Sequence, residues 1–120
     1  MEENSWYRYI VLLDGIKSNE GLLAPPERIA YAFHTFSLHD ENVYEPTGDV
    51  TFMSPNPDTK VLESSIERMI DAVLHLTVKA RVMRVEDVLA LLMSAQDELL
   101  EIGGFTRSIN DLKATLRISG

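Results

Sequence analysis

The segment 59-TKVLESSIERMIDAVLHLTVKARVMRVEDVLALLMSAQDELLEI-102 decides how this chain folds. Leu62, Ile66, Met69, Val73, Leu76 and Ala80 stand at steps of four and three, and Val85, Val88, Leu92, Ala95, Leu99 and Ile102 repeat the pattern. Each series predicts one apolar stripe on an amphipathic helix. Ile70 and Leu74 widen the first stripe; Leu89, Met93 and Leu100 widen the second. Burying a large apolar side chain gains about 1.5–3 kcal/mol, so two stripes left in water would outweigh a domain's margin of about 5–15 kcal/mol. The stripes require a cover, supplied by the rest of the chain or by a partner.

Asp58 or Thr59 suits the N-cap of the first helix, which is expected to run to about Lys79. Its outward face is read as Glu63, Glu67, Arg68 and Asp71. Ala80-Arg81-Val82-Met83-Arg84 alternates and fits a short strand, with helix as the alternative. Glu86-Asp87 places acid at the start of the second helix, and Gly103-Gly104 is read as its left-handed cap. Ser108 to Asp111 resembles a capping box. Beyond it, Ile109, Leu112 and Leu116 fit a short helix, while Ala114–Ile118 also fits an edge strand.

Upstream, Trp6–Leu13 is aromatic and branched, apolar toward both faces at its end, and reads as an inner strand. Asp14-Gly15 marks a turn, and residues 16–21 a loop. Gly15, Lys17 and Gly21 lack the spacing of a phosphate-cradling loop. Pro25-Pro26-Glu27 opens a helix reaching about Leu38, with Phe33 and Phe36 assigned to the core. Glu45–Asp49 is a turn that can join Val43-Tyr44 to Val50–Met53 as a hairpin, stopped by Ser54-Pro55-Asn56-Pro57. The expected fold is a single α+β domain over residues 1–120. A small antiparallel sheet (6–13, 50–53 and 80–84) packs against two long amphipathic helices plus short ones. The helix, short basic link, helix order of 59–102, with Met83-Arg84-Val85-Glu86-Asp87-Val88 entering the second helix, resembles the second half of a histone fold. The turn-rich stretch Leu38–Thr59 departs from that pattern, and no family is assigned.

The net charge is −8. Residues 1–58 carry 3 basic and 10 acidic side chains (−7), residues 59–102 carry 5 and 8 (−3), and residues 103–120 carry 3 and 1 (+2). This field disfavours direct binding of duplex nucleic acid. No apolar run has the roughly 18 residues of a membrane span. The acidic start Met1-Glu2-Glu3-Asn4 is unlike a signal peptide, and the lack of cysteine suits a reducing compartment, so the expected location is cytoplasmic.

Motifs for chemistry are sparse. His34 and His39, five apart, make a poor metal pair on a helix, and no metal or cofactor is expected. His75 follows Asp71 by four, the spacing of a helix-surface pair and also of an oriented imidazole, which leaves a hydrolase or transferase as one alternative. Arg81 and Arg84 in the link, with Phe105, Arg107, Lys113 and Arg117 in the tail, are the candidate ligand-binding residues. They could form a cationic patch for an anionic nucleotide at a subunit interface, or pair with the chain's own acids. The leading expectation is a non-enzymatic acidic interaction protein, inhibitor-like or adaptor-like, binding another protein or itself as a homo-oligomer.

Overall fold

The computed structural model describes residues 5–118. In order, the elements are β1 (Tyr7–Asp14), β2 (Lys17–Ser18), β3 (Gly21–Leu22), α1 (Pro26–Thr35), β4 (His39–Tyr44) and β5 (Asp49–Ser54). There follow α2 (Thr59–Leu74), β6 (Lys79–Arg84), α3 (Val85–Ser94), β7 (Leu99–Ile102), β8 (Phe105–Ser108) and α4 (Ile109–Thr115). The main sheet has the order β4-β5-β1-β6, every neighbour antiparallel. β1 is thus an inner strand, and Tyr9–Leu13 are only 0–2% exposed.

A strand buried on both sides needs cover on both sides, and this sets the layering. Tyr9, Val11 and Leu13 meet Ile29 and Phe33 of α1 and Leu62, Ile66, Met69 and Ile70 of α2 in one core. Ile10 and Leu12 meet Val88, Ile102, Phe105 and Leu112 in a second core on the other face. The result is an α+β domain whose four-stranded antiparallel sheet lies between α1 and α2 on one face and α3, α4 and the β7–β8 hairpin on the other. No helix among the described residues is long and apolar enough to cross a membrane.

The two helical series do not become two long helices on one face. The first helix stops at Leu74, where His75 takes a left-handed conformation (φ 58°) and its N–H donates to the Asp71 carbonyl. Lys79–Arg84 pairs with β1 instead, so the basic link is a strand and the histone-like order does not hold. In the second series only Val85–Ser94 is helical. Leu99–Ile102 pairs with Phe105–Ser108 through Gly103-Gly104, whose φ values of 55° and 90° form a two-residue hairpin turn rather than a helix cap. α2 and α3 then lie on opposite faces of the sheet, because each core claims one of them.

Local signals hold elsewhere. Asp58 caps α2 by accepting from the Lys60 and Val61 amides, and Ser108 caps α4 by accepting from Asp111 N. That cap makes the tail helical, and the strand alternative over 114–118 falls away. Phe33 is in the core, but Phe36 is the C-cap of α1 and half exposed. Glu63 and Glu67 do not point freely outward. Glu63 accepts from Val82 N at 2.9 Å and Glu67 from Ala80 N at 3.0 Å. They satisfy amides that edge strand β6 would otherwise leave open to another chain.

Tyr9 ties the first core together through its hydroxyl, which donates to the Asn56 carbonyl at 2.6 Å. Burial raises its pKa, and the nearby Arg84 only partly offsets that. A raised pKa means the contribution of Tyr9 is complete below the unfolded value of 10.0 and is lost as pH climbs through the higher folded value. Urea midpoints should therefore be flat through neutral pH and fall above pH 10. Tyr9→Phe should lower the neutral-pH stability by about 1 kcal/mol and flatten the alkaline fall.

Candidate functional site

Arg107 projects from β8 under the sheet and is spent inside the molecule. Its Nε donates to Asp49 Oδ2 at 2.7 Å and one terminal nitrogen to Asp49 Oδ1 at 3.0 Å, a two-pronged pair. That nitrogen also reaches the Leu13 carbonyl at 3.1 Å and Asp14 at 3.4 Å. The side chains are 11% and 1% exposed. Desolvation pulls the guanidinium's pKa down, but Asp49 and Asp14 together outweigh it and leave the pKa raised. Arg107 stays charged.

Phe105 is buried with Arg81 and Arg107 both about 6 Å from its ring centre (6.0 and 5.9 Å). Arg81 donates to Gly103 O at 3.1 Å and approaches Glu63 at 3.5 Å. A Cβ at Gly103 would sit 2.5 Å from Arg81 Nε, so glycine serves both the turn and this packing. Arg84 lies over the Tyr7 ring at 4.3 Å and 3.8 Å from Glu86. Arg117 donates to Asn42 Oδ1 at 2.6 Å, and Lys113 is half buried on α4. The six candidate residues thus separate. Arg81, Phe105 and Arg107 form one internal stack. Arg84 and Arg117 border two adjoining grooves that share Arg8 and Val85. Arg8 belongs to no motif in the sequence; its one signal there is a charge on a strand face continued by Ile10 and Leu12.

The histidines do not gather ligands. Among the described residues no three His, Asp or Glu side chains are placed to hold a metal ion. His39 belongs to β4 rather than to a helix, which brings its ring 6.4 Å from that of exposed His34 and 5.1 Å from Trp6. The hydrogen bond joining His75 to Asp71 is a main-chain one.

A different surface stands out on α3. Its sequence, VEDVLALLMS, is apolar on nearly every side, the signature of a helix covered all round. Yet only Val88 is buried; Leu89, Leu91 and Met93 (88%) are exposed, as is Leu99 on β7. The same stretch, 85–102, holds Glu86, Asp87, Asp97, Glu98 and Glu101 and no lysine or arginine. The α2 stripe found its cover in the first core, whereas the α3 stripe is covered along one line only.

Family models, curated proteins and solved structures contain no match to this chain.

The buried pair can be tested directly. Asp49→Ala leaves the Arg107 charge with only the exposed Asp14 as counter-ion and strands the Leu13 N–H, which Asp49 Oδ1 accepts at 3.0 Å. It should cost about 3–5 kcal/mol, read as a lower urea midpoint, a large share of a domain's stability.

Proposed function

We propose that this is a non-enzymatic acidic interaction protein that docks on a segment of another protein, as an inhibitor or adaptor does, through the α3–β7 face. The observation that carries the reading is a helix apolar on most sides, covered along one stripe, in a stretch with five acids and no base. Exposed Leu89, Met93 and Leu99 supply apolar contact, which sets how long a complex lasts. The acidic rim supplies steering, which sets how fast a basic partner arrives. The charge argues for a partner of opposite sign over a second copy, since self-pairing would bring two acidic rims together. A cysteine-free chain suits the cytoplasm as the place of action.

The test uses a basic amphipathic helical peptide of alternating leucine and lysine faces, titrated by calorimetry. Binding is expected at about 0.01 M ionic strength and should fade near 1 M, where the screening length shrinks from about 30 to about 3 Å. The double variant Leu89→Asp, Met93→Asp should lose it. Those substitutions add negative charge, so a merely electrostatic complex would tighten instead, and that result would sink the proposal. No heat of binding at low salt, or light scattering that shows a dimer broken by the same variant, would overturn it too.

A further inference from the structure

We infer that the Arg8 end of the second sheet face, beside the start of α3, carries a further site for a small phosphorylated molecule with a flat ring, of nucleoside monophosphate size. Register brings its floor together: Asn42 faces Thr51 across β4 and β5, and Thr51 faces Ile10 across β5 and β1. Ile10 belongs to the second core, but beside it the apolar layer gives way to Thr51, Asn42 and Arg8. The end of α4 closes the space with Thr115 and Arg117, and Val85 forms a wall. The cavity so formed measures about 250 Å³.

Its chemistry fits an oxyanion. Thr51 and Thr115 are each 5% exposed. The Thr115 hydroxyl donates to the Asp111 carbonyl at 2.7 Å. Arg8 is held by Asp40 at 3.2 Å, with both side chains about half exposed (46% and 59%), and so open a pair resists exchange weakly. Arg117 gives Asn42 one of its five donors. Two guanidiniums against Asp40 leave a local charge of +1 on a chain of −8. That balance suits one phosphate; a triphosphate would bring more charge than it offsets, into a repelling field.

The ring has its own place. A groove of about 290 Å³ adjoins the cavity through Arg8 and Val85 and is lined by Trp6, Tyr7 and Arg84. Trp6 is 46% exposed and propped edge-on by His39 at 5.1 Å. An indole held in this way is a stacking platform for a base. Together the two spaces reach the range of small-ligand sites, roughly 300–1,000 Å³.

Quenching of Trp6, the sole tryptophan, and calorimetry test the site with adenosine monophosphate, adenosine and inorganic phosphate. Adenosine monophosphate should saturate, with adenosine at least about tenfold weaker, a factor worth about 1.4 kcal/mol. Arg8→Gln and Arg117→Gln should each weaken the nucleotide about tenfold or more while the far-ultraviolet circular dichroism stays unchanged. By calorimetry, Trp6→Ala should weaken the nucleotide and leave inorganic phosphate unaffected. The proposal is overturned if no ligand saturates at millimolar concentration, if adenosine binds as well as its phosphate, or if neither arginine variant changes the affinity.

Discussion

The Arg107–Asp49 pair completes a sheet that its own backbone leaves unfinished. β1 pairs with β5 only as far as Val11 and Val50. Beyond that point Leu13 has no strand on that side, yet it is buried. Asp49 accepts its N–H and Arg107 donates to its carbonyl, so two side chains supply the missing rung. Burying an ion pair carries a desolvation cost that often cancels its attraction. Here each partner also satisfies main-chain groups that would otherwise be orphaned, and this is why the pair is tolerated. It also fastens β8, and with it α4, beneath the sheet.

Carboxylates do similar work on the opposite flank. Glu67 and Glu63, one turn apart on α2, meet Ala80 and Val82, two residues apart on β6. A helical repeat of four residues rises about 6 Å and a strand repeat of two about 6.6 Å, so the two ladders stay in step. The acids that make the chain anionic are therefore not all a solvated coat. Asp49, Glu63 and Glu67 are structural, and the free negative charge concentrates elsewhere, notably along 85–102.

This partition leaves two surfaces of different character. The α3–β7 face combines exposed aliphatic side chains with acid alone. The Arg8–Arg117 cavity, with the Trp6 groove beside it, is a small cationic region in an anionic molecule. They meet along α3, where Leu89 borders the groove and Val85 both spaces. A protein partner seated on α3 would lie close to any occupant of the groove.

Much of the fold was legible in short stretches, because the forces that decide them act over a few residues. A strand apolar on both faces had to be internal, as Tyr9–Leu13 is. Asp58 and Ser108 could cap only the helices that follow them, and Leu62–Ile70 carries enough periodic apolar surface to demand a core. The stretch 95–102 reads as helix in sequence, since Leu99 and Ile102 continue the apolar stripe, yet the same residues suit a short ladder. The choice fell to Gly103-Gly104 and the pairing with Phe105–Ser108, a contact that periodicity does not encode. The same limit governs the candidate site. That Arg107 would be charged was plain from sequence, but its partner stands 58 positions away, and only the folded sheet brings the two together. Arg8, Asn42, Thr51 and Arg117 likewise share no motif; strand register and the end of α4 assemble them. Sequence alone determined the secondary-structure signals, the acidity and the need to cover two stripes. Tertiary structure decided which stripe was covered and which arginines were already taken, because both depend on groups distant in the chain competing for the same space.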